Sequence, residues 1–222
     1  DARLEQKGWN TVNFDDSKWN WAGYRQAPSN QIVSQQVQPI RAVEEILPEK
    51  VTQLNDTTYV FDFARNMSGT ARIRISGEEG TVIRMKHGER LYDNGHVDIS
   101  NIDVYYYPKD DSDPFQTDIL TLSGKGEDDF MARFNYKGFR YVEVTTSKPM
   151  KLDKQHLTAY FIHSDVQPKG SIRTSYPLID RLCWATNNAY LSNLMGYPTD
   201  CPQREKNGWT GDGHLAIETA LY

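Results

Sequence analysis

The segment Asp200-Cys-Pro-Gln-Arg-Glu205-Lys-Asn-Gly-Trp-Thr-Gly-Asp212 gathers carboxylates, an arginine and a tryptophan among prolines and glycines. Asp200, Glu205 and Asp212 offer charge, hydrogen-bond acceptance and proton transfer within the reach of one small pocket. Arg204 presents forked donors that grip a carboxylate or a substrate oxygen. Trp209 adds a flat apolar plate suited to the C–H face of a sugar ring. Together they predict a polyhydroxylated ligand. A plainer assignment competes, in which the carboxylates cap a helix and pair with Arg204 and Lys206 at the surface. Glu205 and Asp212 would share one face of an unbroken helix. Pro202, Gly208 and Gly211 argue against one, so the pattern predicts a looped turn leading into a helix.

The run Asp200 to Glu205, followed by Gly208-Trp-Thr-Gly-Asp212, resembles the signature of bacterial α-L-rhamnosidases, family 78 of the glycoside hydrolases. The resemblance implies that this segment lies at the mouth of an (α/α)6 barrel. It implies an enzyme that removes terminal α-L-rhamnose, with inversion, from glycosides or polysaccharides. Glu205 would then be the general acid, Asp200 would bind rhamnose hydroxyls and Asp212 would support the site. Arg204 and Trp209 would line it, and neither cofactor nor metal is expected. Burial among acidic neighbours is expected to keep Glu205 protonated. The family's general base, a Glu on a later barrel segment, is absent from these residues. Hydrolysis by this chain alone is therefore not expected, and its partners would be the rest of a parent chain and a rhamnose-containing substrate. Two other classes compete. One is a non-catalytic carbohydrate-binding or scaffold module using Trp9, Trp19 and Trp209 as stacking platforms. The other is a metal-dependent hydrolase built on Asp200, Asp212 and His214, with Cys201 nearby, although the spacing fits no usual zinc pattern.

The 222 residues carry a net charge of −5 and are 38% hydrophobic and 12% aromatic, enough for one sizeable core or two small ones. Mild acidity without a long Lys/Arg run argues against nucleic acid, and no segment reaches the apolar length of a membrane span. Cys183 and Cys201 are too few for a disulfide framework and are expected to be free, mostly buried thiols, which leaves the compartment open. The first residues read as folded domain with neither an initiator Met nor a signal peptide, as in a piece of a longer protein.

The elements that must position the motif are mainly β. Residues 1–34, with Trp9, Phe14 and Trp19, read as the end of an N-terminal β-sandwich or jelly-roll domain, those rings serving as its core. Residues 35–166 read as an antiparallel β-sandwich. Short runs are expected before residue 60, then strands at Tyr59–Phe63, Ala71–Ile75, Thr81–Lys86, Asp103–Tyr107, Phe115–Leu122, either side of Tyr136-Lys-Gly138, and Leu157–His163. Asn66 to Gly69 reads as a turn, and Ala71–Ile75 with Thr81–Lys86 as a hairpin. His87, Glu89 and Arg90 are expected at a hydrogen-bonded strand end, and 108–114 as a solvated loop rather than a calcium site. The run Phe134-Asn-Tyr-Lys-Gly-Phe-Arg-Tyr-Val-Glu-Val144 also resembles the rhamnosidase sandwich, and an H-x-E run like that at His87 occurs beside the barrel in that family. Residues 167–222 read as the start of the barrel. Leu178, Leu182, Ala185 and Ala189 recur at helical spacing over Tyr176 to Leu194, with Ser175 as N-cap and Gly196 and Pro198 as the stop. A second helix is expected from His214, and an apolar face is expected to lie exposed.

Overall fold

The computed structural model describes residues 1–104, 106 and 114–221. Among the described residues ten strands precede two α-helices: β1 Ile40–Ile46, β2 Lys50–Asn55, β3 Thr58–Ser76, β4 Val82–Gly88, β5 Arg90–Leu91, β6 Val97–Asp98, β7 Thr117–Thr121, β8 Glu127–Met131, β9 Lys137–Thr146, β10 Leu157–Ser164, α1 Pro177–Ser192 and α2 Thr210–Ala216. All strand pairings are antiparallel.

Strand β3 shapes the sandwich. Its first half pairs with β2 and β9, and β9 continues to β4 and β7. Its second half pairs with β10 and β8, and β10 continues to β1. One strand thus serves both faces of a curled sheet. The passage lies where the β3–β9 register jumps between Asp62 and Met67, and Ala64 there takes a positive φ of 55°. The turn expected at Asn66–Gly69 is therefore a bulge inside a continuous strand. The expected hairpin is also corrected, because β3 and β4 are separated by β9 and do not pair. Alternation fixes the faces: Ile73 and Ile75 are buried while Arg72 and Arg74 point outward, the latter two meeting Asp129 on β8.

Between the faces lies a single core that includes Phe61, Ile73, Met85, Phe139, Val142, Val144, Leu157 and Phe161. Each such side chain contributes roughly 1.5–3 kcal/mol through burial. Phe139 meets Phe63 edge-on at 6.0 Å and His87 at 4.9 Å. The N-terminal segment differs from expectation. Residues 1–39 hold only a 3-10 turn at Ala2–Leu4. Trp19 packs on Phe14 at 5.4 Å and donates to Gln6 Oε1, forming a small local cluster rather than a core. Of the strand expected at 103–107, the described residues form turn and irregular backbone, and loop 108–113 lies outside the described residues.

Helix α1 is fastened to the sandwich at the β3 bulge. Arg65 lies between Phe161 (4.4 Å) and Trp184 (5.5 Å), donates to Asn188 Oδ1 at 2.6 Å and pairs with Glu44 at 2.7 Å. Asn188 donates back to the Asn66 carbonyl at 2.8 Å. The Ser175 cap is not formed. Asp180 instead accepts from the backbone and hydroxyl of Thr174, and Pro177 occupies the first turn. Leu178 and Leu182 remain more than half exposed, as expected of the apolar face, and so does Trp184. Helix α2 begins at Thr210, earlier than expected, and ends at Ala216 before a 3-10 turn at Thr219–Leu221. Among the described residues no helix is long and apolar enough to cross a membrane.

Below the start of β9, Lys137 Nζ bonds Asp118 Oδ1 at 2.7 Å, both side chains 6% exposed. His87 lies beside them, fully buried, with Nδ1 3.1 Å from the Gln116 carbonyl and Nε2 4.0 Å from Asp118 Oδ2. Burial, and next the Lys137 charge, push the His87 imidazole down to about 4. The folded chain thus keeps His87 neutral where the unfolded chain, near 6.5, takes up a proton. Stability should fall by about 3 kcal/mol as pH drops from 6.5 to 4, most of it before the ordinary carboxylate range is reached. Urea unfolding across that window should show the loss, and His87→Gln should remove most of the slope.

Candidate active site

The motif forms a closed loop at the end of α1. The Asp200 N–H donates to the Asn207 carbonyl and the Asn207 N–H returns to Asp200 Oδ1, both at 2.9 Å. Inside the loop the Cys201 thiol donates to Asp200 Oδ2 at 3.1 Å and accepts from the Glu205 N–H at 3.3 Å. Burial pushes the Asp200 carboxyl up, but the hydrogen bonds from Cys201 and Asn207 outweigh it and hold the group below its ordinary range. Asp200 is thus an ionised acceptor at neutral pH. Cys201 and Cys183 are free and half-buried. Upstream, the Thr199 N–H donates to the Asn193 carbonyl at 2.6 Å, and Gly196 and Leu194 bond Ser164 at the end of β10.

The loop is seated on the sandwich at Tyr136-Lys137-Gly138. Lys206 Nζ donates to the Tyr136 carbonyl at 2.6 Å and stands 4.5 Å from the centre of its ring. Gly138 admits the loop itself: a Cβ there would lie 2.7 Å from Gln203 Cβ and 2.9 Å from its backbone nitrogen. Gln116 Nε2 bonds the Gly138 carbonyl at 2.9 Å from below.

The five motif side chains divide among three places. Asp200, Asp212 and Trp209 line one open cavity of about 330 Å³, together with Tyr190, Asn193 and Pro198 of the α1 end. Arg204 faces a second pocket of about 320 Å³, on the side toward β7 and β9. Glu205 lines neither. It is not buried as expected; its side chain is 37% exposed and accepts from Arg204 at 3.0 Å. His214 lies in α2, and among the described residues no group of His, Cys, Asp or Glu is arranged to hold a metal ion. Trp9 and Trp19 belong to the N-terminal segment, where Arg133 stands 5.6 Å from the Trp9 ring.

Sequence reasoning missed the seat. Tyr136, Lys137 and Gly138 read as a strand connection, and Lys206 as a surface cation. The available signal was a glycine beside a lysine in a run that alternates like a buried strand, with Lys137 at an inward position.

Comparison with known proteins places the chain. Residues 1–44 match the alpha-L-rhamnosidase N-terminal domain, residues 52–163 the bacterial alpha-L-rhamnosidase concanavalin-like domain, and residues 167–222 the bacterial alpha-L-rhamnosidase 6 hairpin glycosidase domain. The chain belongs to the bacterial α-L-rhamnosidase family, family 78 of the glycoside hydrolases. It is 34% identical, over its whole length, to an alpha-L-rhamnosidase of Streptomyces avermitilis, and 30% identical to one of Formosa agariphila. The chain spans 21% and 23% of the length of those relatives. Its fold overlays the alpha-L-rhamnosidase of Dictyoglumus thermophilum with a TM-score of 0.88 at 35% identity, covering 99% of this chain and 24% of that one. It overlays the Streptomyces avermitilis enzyme complexed with L-rhamnose with a TM-score of 0.87 at 34% identity, covering 100% and 21%. The antiparallel sandwich followed by the first helices of a six-hairpin barrel is thus the architecture of this family.

Replacing Gly138 by Ala should push the motif loop off its seat. Trp209, already half-exposed, should then change its fluorescence and acrylamide quenching. Folding of the β core should persist, checked by far-UV circular dichroism. Unaltered Trp209 quenching in Gly138→Ala would remove Gly138 as the seat.

Proposed function

We propose that this chain supplies the proton-donating half of the site with which a larger α-L-rhamnosidase hydrolyses terminal α-L-rhamnose from glycosides or polysaccharides. The rhamnose ring enters the cavity of Asp200, Asp212 and Trp209. Ionised Asp200 accepts from sugar hydroxyls, Trp209 covers the apolar ring face, and Asp212 supports the polar side. Glu205 delivers a proton to the glycosidic oxygen as the anomeric C–O bond breaks. Water activated by a second carboxylate, from elsewhere in the parent protein, attacks the opposite face and inverts the anomeric centre. Glu205 must exchange its Arg204 contact for the glycosidic oxygen, a rotation its exposure leaves open. In this reading, 1–34 ends an N-terminal β-sandwich, 35–166 is the rhamnosidase sandwich and 167–222 opens the catalytic barrel.

The observation that supports the reading is the convergence of Asp200, Asp212 and Trp209 on one cavity, beside the loop that carries Glu205, in a member of this family. In the parent enzyme, Glu205→Gln should lower kcat for an alkyl rhamnoside by ~10²–10⁴-fold. A nitrophenyl rhamnoside, whose leaving group departs without protonation, should lose far less. Proton NMR of the first product should show β-L-rhamnose. The chain by itself should turn over neither substrate; turnover by it that Glu205→Gln abolishes would refute the acid-only assignment.

A further inference from the structure

The proposed reaction leaves the thiol of Cys201 without a task, although it lies between Asp200 and Glu205 in the folded loop. Cys201 Sγ donates to Asp200 Oδ2 at 3.1 Å and accepts from the Glu205 N–H at 3.3 Å. A cysteine that merely fills space behaves as a small hydrophobe among apolar neighbours. This one faces a carboxylate and a backbone N–H, and they belong to the residue assigned to the sugar and the residue assigned to the proton. The other Asp200 oxygen, Oδ1, accepts from the Asn207 N–H at 2.9 Å. Both oxygens are thus oriented by the chain, and each retains a lone pair for a sugar hydroxyl.

The thiol also stands in for a backbone acceptor. Residues 202–205 form a turn, and the Glu205 N–H points back four positions to Cys201. In a helix a carbonyl would receive that N–H. Here sulfur receives it, and the next residue, Lys206, leaves the turn at φ 58°. A thiol is a weak partner in either role. An ionised acceptor strengthens its donation, and an N–H on its sulfur polarises the S–H in the same direction. The two bonds therefore reinforce one another. We infer that Cys201 is a positioning residue of the proposed site: its thiol ties the sugar-binding carboxylate of Asp200 to the backbone that carries the proton donor, Glu205. The inference rests on the reading of Asp200 as the sugar acceptor and Glu205 as the general acid.

The test compares Cys201→Ala, Cys201→Ser and wild type in the parent enzyme, with folding checked by far-UV circular dichroism. The first readout is inhibition by L-rhamnose as pH is lowered. Burial raises the Asp200 carboxyl, and the Cys201 bond leads those that lower it. Without the thiol the carboxylate takes up a proton at higher pH. The midpoint of affinity loss should therefore rise in Cys201→Ala, by about half to one pH unit. The second readout is kcat on two substrates. An alkyl rhamnoside, which needs the proton, should lose about tenfold in Cys201→Ala, and a nitrophenyl rhamnoside less than about threefold. Serine keeps both polarities on a shorter arm and should fall between alanine and wild type in both readouts. Should Cys201→Ala fail to fold, Cys201→Ser decides by the same measurements. An unmoved midpoint would overturn the tie to Asp200, and equal losses on the two substrates would overturn the tie to Glu205. Glu205→Gln serves as control: if it too slows both substrates equally, the proton-donor reading has failed and the Glu205 tie falls with it, while the L-rhamnose titration still judges Asp200.

Discussion

The close approach of the motif loop to the start of β9 is the constraint on which the rest of this structure depends. At Gly138 two backbones meet with no room for a Cβ, and the loop is pinned on one side by Lys206 and closed on the other by Asp200 and Asn207. Hydrogen bonds alone would leave a loop of this kind many conformations. Steric contact with a rigid strand removes most of them, because the strand beneath belongs to a packed core and does not yield. The geometry of Asp200 and the path of the chain through Glu205 are therefore set partly by the sandwich.

A second contact fixes the direction from which the loop is approached. The bulge in β3 lets one strand pass from face to face and places Arg65 at the corner. There the guanidinium is held by Phe161, Glu44, Asn188 and Trp184 at once, so α1 is fastened at its middle as well as at its end. Burying a guanidinium is tolerable only because its donors find partners and its faces find rings. Strain at Ala64 accompanies this arrangement, and the same fold that curls the sheet also aims the helix.

Much of this was legible in the residues. Alternation at Ala71–Ile75 and Leu157–His163 revealed strands because one face of each is buried, and the spacing of Leu178 and Leu182 revealed α1 and its exposed stripe. The motif disclosed its family and its loop. What stayed hidden depends on contacts between distant residues. Pairing order hid β9 between β3 and β4, so adjacent strands looked like a hairpin. The glycine at 69 and the asparagine at 66 looked like turn residues, although the backbone continues through them as strand. Glu205 was expected to be buried because acids in such sites are, yet in this chain it is open to solvent beside Arg204. No local pattern announces that Lys206 lies against Tyr136, seventy positions away.

The Gly138 contact bears on how such enzymes diversify. A sandwich that merely adjoined its barrel could be exchanged for another, or lost, with the chemistry intact. Here the motif loop borrows its foundation from the sandwich, so exchanging the sandwich alone would take away the loop's seat. A chimera joining this barrel start to an unrelated sandwich would have to recreate a bare backbone patch and the carbonyl that receives Lys206, a demand met far more readily by co-descent than by shuffling.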